Sequence, residues 1–307
     1  MKVLVTGGAG YLGTSMLPLL LEKGHEVRIL DKLMWGVTPI LSYFSHPRVE
    51  FMSGDIRDQQ VITDALSGMD AVIHLAGIVG YPACTADVGL AESTNVDGTA
   101  LLVDSLQSHQ KLVFASTGST YGVVDGVCDE STPINPLTVY GKNKQDGENL
   151  VDKVGGVKLR LATVFGVSPR LRLDLLVNDF CYQAIHNGFI IMFEGYHRRT
   201  FLHVRDAAKA FVFTLDHFDE MAGDVFNVGD ENLNFNKKDI ALKIQKLNPF
   251  YLHEADVGKD MDQRNYEVNY DKIKNLGFTA DISLEQGIEE LLKVCRFIKI
   301  ENPWRNH

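Results

Sequence analysis

The chain opens Met1-Lys-Val-Leu-Val-Thr-Gly-Gly-Ala-Gly-Tyr-Leu-Gly13, and these thirteen residues decide the fold. Lys2 to Thr6 is a short apolar run rich in β-branched residues, the mark of a buried strand. Glycines stand at 7, 8, 10 and 13 directly after it. Thr14 to Lys23 then has a helical pattern, and Gly24 closes it. The order is strand, glycine turn, helix. In such a unit Gly7 permits the tight turn, Gly10 lets backbone approach a pyrophosphate, and Gly13 lets the helix lie close on the strand. The helix N-terminus adds free N–H groups and a partial positive charge for the phosphates. A second strand, Glu26 to Leu30, runs into Asp31. That carboxylate stands where it can bond a ribose 2′-hydroxyl and repel a 2′-phosphate.

The same grammar repeats outward. Val49 to Ser53 reads as a third strand, and Asp58 as the cap of a helix with Val61, Ile62, Ala65 and Leu66 at helical spacing. Ala71 to Leu75 is a fourth strand, apolar but for His74, whose expected place is the interior of the sheet. A long helix is expected from Leu90 to Ser108, carrying Asn95. Lys111 to Ser116 is a fifth strand, a helix runs from about Val139 to Asp152, and Val157 to Leu161 is a sixth strand. Continuous apolar strands alternating with helices imply a parallel sheet covered on both faces. The expected fold is α/β, a Rossmann-type doubly wound sheet with a smaller C-terminal α+β lobe. The dinucleotide domain is expected over 1–166, with some strands from about 200–230 rejoining it, and 167–307 as mainly the substrate lobe.

A length of 307 residues and a 45% hydrophobic fraction suit a globular protein with a large core. The net charge of −10 disfavours a broad nucleic-acid-binding face. Cys84, Cys128, Cys181 and Cys295 lie far apart with no paired spacing, so neither a metal site nor a disulfide framework is expected. The chain enters a strand directly, and no apolar run approaches the roughly 20 residues of a membrane span. A cytoplasmic protein without membrane partners is expected.

Thr117 ends the fifth strand, and Tyr140 and Lys144 share one helix face. A phenol is a poor base at its ordinary pKa near ~10. A neighbouring ammonium and a cationic nicotinamide ring both favour the phenolate. Such a phenolate can take a proton from a sugar hydroxyl as hydride leaves the same carbon. With Thr6–Gly13 come Gly54-Asp-Ile-Arg57, His74-Leu-Ala-Gly77, Asn95-Val-Asp-Gly-Thr99, Ser116-Thr-Gly-Ser-Thr-Tyr-Gly122, Tyr140-Gly-Lys-Asn-Lys144 and Arg199-Thr-Phe-Leu-His-Val-Arg-Asp206. In content and order these resemble the extended short-chain dehydrogenase/reductases, the NAD-dependent nucleotide-sugar epimerases and dehydratases.

The resemblance implies NAD as cofactor, a nucleoside-diphosphate sugar (GDP- or UDP-linked) as substrate, and a homodimer formed by the helices around Asn95 and Tyr140. It implies Thr117, Tyr140 and Lys144 as the catalytic set. Gly7, Gly10, Tyr11, Leu12, Gly13, Asp31, Lys32, Asp55, Ile56, Leu75, Ala76, Gly77, Asn95 and Ser116, with Tyr140 and Lys144, would hold the cofactor. Asn178, Arg199 and Arg264 would hold the substrate. The 4,6-dehydratases carry Asp-Glu after the catalytic threonine, whereas Gly118-Ser119 stand here. The 3,5-epimerases place a cysteine where Ser119 stands. What remains is hydride chemistry at one carbon, C4, giving a 4-keto sugar. The stretch Arg160 to Asp179 resembles a narrower group that includes GDP-heptose C4-dehydrogenases, so epimerisation and net oxidation both stay open. A non-catalytic dinucleotide sensor and an NADPH-linked reductase are the rival readings. Because Asp31 would meet a 2′-phosphate with like charge, NADH should bind more tightly than NADPH in fluorescence titration. Equal binding would contradict that placement of Asp31.

Overall fold

The computed structural model describes residues 1–124, 126–255 and 267–300. Its strands in chain order are β1 (Lys2–Thr6), β2 (Glu26–Asp31), β3 (Val49–Ser53), β4 (Ala71–His74), β5 (Lys111–Thr117), β6 (Val127–Cys128), β7 (Val157–Leu161), β8 (Thr163–Phe165), β9 (Phe189–Met192), β10 (Arg198–His203), β11 (Val225–Val228), β12 (Asn234–Asn236), β13 (Tyr251–Glu254) and β14 (Glu267–Val268). Seven of them form one parallel sheet in the order β3-β2-β1-β4-β5-β7-β11. The order reverses between β1 and β4. A crevice opens at such a reversal, at the carboxyl ends of the strands.

Alternation along each strand feeds two cores. Val3, Val5, Val27, Ile29, Ile73, Val113 and Leu159 face the helices Tyr11–Glu22 and Val204–Asp216. Leu4, Leu30, Val72, Leu112 and Phe114 face the helices Gln59–Leu66, Gly98–Ser105 and Val139–Asp152. Both faces of the sheet are therefore dry, which is why its central strands carry so few polar residues. Asp58 caps its helix as expected, accepting from the N–H groups of Gln60 and Val61.

The second lobe has its own core, in which Phe165, Val177, Phe180, Phe201, Ile240, Ile244, Leu284 and Ile288 meet. The strands between residues 198 and 228 divide between the two lobes. β11 and the helix Val204–Asp216 do rejoin the main domain, but β10 does not. It pairs in parallel with β8 and antiparallel with β12 in a separate three-stranded sheet. The chain thus leaves the main sheet after Leu161, at the end of β7, and enters the second sheet at Thr163. Asp206 pins the lobe to that returning helix by accepting from the N–H groups of Asp281 and Ile282.

The helix carrying Asn95 departs from expectation, whereas the Tyr140 helix keeps its expected bounds, Val139–Asp152. The long helix carrying Asn95 is helical over 88–105, but its middle turn, Ser93–Asp97, is a π-turn. Such turns commonly mark functional sites. The helix Val139–Asp152 turns Gly141, Lys144, Gly147, Glu148 and Val151 inward. Its outward positions Lys142, Gln145, Asp146 and Asn149 are polar. No helix among the described residues is long and apolar enough to cross a membrane.

Candidate active site

A cleft of about 560 Å³ lies along the carboxyl ends of the strands and continues to β8 and β10 of the second lobe. That is the size range of a small-molecule site. The glycine turn forms its floor. Gly7 has φ +71, and a Cβ there would come within 2.8 Å of the Ala76 nitrogen, so the turn closes tightly on the end of β4. The first helix begins at Gly10 without any side-chain cap. The N–H groups of its first turn, from Tyr11 to Gly13, therefore stay available at the cleft wall. An uncapped helix N-terminus behind a glycine turn fits a pyrophosphate.

The Asp31 carboxylate stands beside this turn. One oxygen accepts from the Ala9 N–H at 3.0 Å, the other from the Leu33 N–H at 2.7 Å. Burial raises its pKa, while those two donors oppose the shift. Lys32 donates to Asp55 at 2.9 Å, and Arg57 clasps the same carboxylate at 2.6 Å. Those bonds, from Arg57 first, hold the Asp55 carboxyl well below the usual carboxylate range. The Lys32 charge is thus already answered by Asp55, which leaves it poorly placed to welcome a 2′-phosphate. Ile56, Leu75, Ala76 and Gly77 line the adjoining wall.

At the other end stand Thr117, Tyr140 and Lys144. Thr138 caps their helix by accepting from the Gly141 N–H, which sets Tyr140 in the first turn. Gly147 lets the helix lie flat on β5, since a Cβ there would fall 2.5 Å from the Phe114 ring. Lys144, one turn after Tyr140, places its Nζ 4.7 Å from the centroid of that same ring. Burial pulls the Lys144 pKa down to about 8, with Cys84 and Glu148 pulling it back up. Thr117 Oγ1 accepts from the Ser119 N–H and donates to the Ser119 hydroxyl. Gly118 and Ser119 follow in a tight turn, so no carboxylate occupies these two positions.

Behind this face lies a buried polar network. Ser116 donates to Glu148. Glu148 receives Arg160 through Nε at 2.9 Å and Nη2 at 2.7 Å. Arg160 Nη1 donates to the Tyr121 hydroxyl, which donates in turn to Asn227. Five segments meet in this network: β5, the turn after it that ends at Tyr121, the Tyr140 helix, β7 and β11. His74 is buried between the Thr6 and Thr99 hydroxyls and is held neutral by burial, with its pKa near 3. It is an internal tie of the sheet, as expected.

The cleft brings together sixteen of the residues singled out above for cofactor or catalysis, and Arg199 with them. Arg198 points outward and pairs with Glu267 at 3.9 Å. Asn95 and Asn178 lie outside the cleft lining and bond backbone. Asn95 is buried and clamps Ile78, accepting from its N–H at 2.7 Å and donating to its carbonyl at 2.9 Å. It shapes the loop after β4 without lining the cleft. Asn178 is also fully buried. It accepts from the Gly166 N–H and donates to the Gly166 and Arg172 carbonyls, so its amide is used up in holding the 166–172 loop. Arg264 lies outside the described residues. Trp35, Ala162, Thr163 and Leu175 line the cleft without having been singled out. Their apolar or loop positions carry no periodic signal of contact with a ligand.

Residues 3–229 match the NAD dependent epimerase/dehydratase family. The chain belongs to that family. It is an NAD-dependent enzyme, and the glycine turn and Asp31 fit the cofactor. A putative UDP-glucose 4-epimerase of Methanocaldococcus jannaschii is 29% identical over 306 residues, covering 94% of this chain and 97% of that protein. The UDP-glucose 4-epimerase of Halalkalibacterium halodurans is 32% identical over 260 residues, 75% of each chain. The crystal structure of UDP-glucuronic acid 4-epimerase from Bacillus cereus in complex with NAD is similar with a TM-score of 0.84 at 25% identity, over 96% of each chain.

The Glu148 network generates a test in this epimerase/dehydratase-family enzyme. Glu148→Gln leaves Arg160 buried without its counter-charge and should cost about 3 kcal/mol in denaturant unfolding. It also removes a negative charge that raises the Lys144 pKa. The alkaline limb of the kcat/KM profile should therefore move to lower pH. A destabilised variant with an unmoved limb would mean that Glu148 supports the fold without tuning Lys144.

Proposed function

We propose that the protein epimerises a nucleoside-diphosphate sugar at C4 through a 4-keto intermediate. The observation that carries this reading is the placement of Thr117, Tyr140 and Lys144 together at one end of a cleft whose other end is the glycine turn. Bound NAD would supply the hydride acceptor and, on return, the donor. The chain's own residues do the rest. Lys144, cationic at neutral pH, favours the Tyr140 phenolate. Tyr140 takes the proton of the C4 hydroxyl, so that the C–O bond becomes a carbonyl as the C–H bond breaks. Thr117 bonds the same oxygen and fixes its direction. The sugar then turns its other face, and Tyr140 returns the proton to the new hydroxyl. Arg199, at the β10 wall, holds the diphosphate throughout and lets the sugar ring turn.

Loss of water is disfavoured as an outcome, since Gly118 and Ser119 offer no carboxylate acid or base beside Thr117. A UDP-linked sugar is favoured because the relatives that match this chain are named as UDP-glucose 4-epimerases. A second reading, net C4 oxidation of a GDP-linked sugar, is supported by the likeness of Arg160–Asp179 to GDP-heptose C4-dehydrogenases. The two share one set of chemical residues and differ in whether the keto sugar leaves.

Incubation with a panel of UDP- and GDP-sugars, followed by mass spectrometry and NMR, tests the proposal. An isomer of equal mass is the expected product; a product two mass units lighter would favour the second reading. Tyr140→Phe should keep NAD binding and lose at least about a hundredfold in turnover, within the ~10²–10⁴-fold range of general-base catalysis. Near wild-type turnover in that variant would overturn the mechanism.

A further inference from the structure

Trp35, in the segment after β2, and Arg170, in the segment after β8, come from distant parts of the chain and meet at the cleft. The guanidinium carbon of Arg170 stands 4.3 Å from the Trp35 ring centroid, and both side chains line the cleft. Neither has a role in the proposed chemistry.

The tryptophan is held in place from below. Asp31 fixes the Leu33 N–H, and Leu33 adopts φ +56, a left-handed conformation unusual for a side chain of its size. The Gly36 N–H then closes back on the Leu33 carbonyl at 3.0 Å, with Gly36 at φ +78. Trp35 sits inside this turn, half-buried against the cleft. Since the other Asp31 oxygen holds Ala9, the Trp35 turn and the glycine turn share one anchor.

The arginine is held from the other side. The Tyr11 hydroxyl donates to the Gly166 carbonyl at 2.8 Å, and Ser168 donates to the Tyr11 carbonyl at 2.7 Å. Thr14 and Ser168 hydroxyls lie 2.9 Å apart. The 166–170 loop therefore rides on the first turn of the first helix. A closed belt results, running from Ala9 through Asp31 and Trp35 to Arg170, Ser168 and Tyr11.

We infer that Trp35 and Arg170 form a clasp that retains the dinucleotide by closing its groove beside the pyrophosphate-binding turn. The inference rests on the reading of this cleft as the NAD site. A cation on a tryptophan face is the stronger kind of cation–π contact, and it gains when desolvated. Arginine suits the position because its planar guanidinium can stack on the ring, and Arg170 Nη1 also donates to the Leu171 carbonyl at 3.3 Å, which steadies it there. A retained cofactor returns its hydride to the same sugar molecule, which is what epimerisation requires and net oxidation does not.

The test uses the full chain without any sugar. Release of NADH is followed by its fluorescence after mixing with excess NAD. Trp35→Ala and Arg170→Ala should each speed release by about tenfold, and Arg170→Lys by a smaller factor. Trp35→Phe, which keeps a ring, should stay within about threefold of the wild type. The double Ala variant should release NADH at about the rate of either single variant, because each alone already opens the clasp. Unchanged release in either Ala variant would overturn the inference while leaving the cofactor site intact. A double variant whose effect is the product of the two single effects would also overturn it, since the residues would then act separately. A wild-type protein that binds no NADH would overturn both the clasp and the reading of the cleft. Thermal unfolding of the NAD-free variants, expected to match the wild type, separates cofactor release from a loosened fold.

Discussion

Everything at the Tyr140 end of the cleft depends on one buried ion pair, Glu148 with Arg160. Each side chain is 6% exposed, so both charges have given up water. Such a pair persists when its geometry is good and its remaining hydrogen-bonding capacity is met. Here the contact is bidentate, and Ser116 and Tyr121 occupy further positions on the two groups. The pair joins the Tyr140 helix to β7, and Ser116 joins both to the end of β5. Lys144 lies one helical turn before Glu148, and Tyr140 one turn before that. The positions of the reactive side chains against Thr117 therefore follow from a contact that touches no ligand.

The sequence made the main sheet legible because burial on both faces demands continuous apolar strands, and β1, β4 and β5 meet that demand. It made most of the cleft legible because the carboxyl ends of those strands are where ligands must go in a sheet of this topology. Asn95 and Asn178 hold backbone behind the cleft, and the sequence did not announce that for one physical reason. A short amide serves a backbone as well as it serves a ligand, and only the fold reveals which partner lies nearer. The departure of β8 and β10 into a second sheet was hidden because a three-residue strand carries too little pattern to declare its neighbours. Lys158 and Arg160 gave β7 an apparent polar alternation, yet that strand is wholly buried, each cation answered by a carboxylate on the Tyr140 helix.

The two ends of the cleft divide the work. At the glycine end the fold offers backbone donors, and Asp31 organises them by bridging Ala9 and Leu33. At the Tyr140 end it offers a phenol, an ammonium and two hydroxyls in a largely dry setting, where burial keeps the Lys144 pKa near 8. Between them β8 and β10 bring Arg199 and Thr200 from the second lobe. The second lobe thus contributes wall and a cation, while Thr117, Tyr140 and Lys144 all belong to the first domain. The Trp35–Arg170 contact ties the rim of that first domain to the loop leading into the second.

The measurement that bears most directly on this account follows deuterium placed at C4 of the sugar that is turned over. Hydride taken and returned within one closed site should leave the deuterium on C4 of the isomeric product, with none in water or in free NADH. Deuterium recovered on released NADH, or exchanged into solvent, would contradict epimerisation by a retained cofactor.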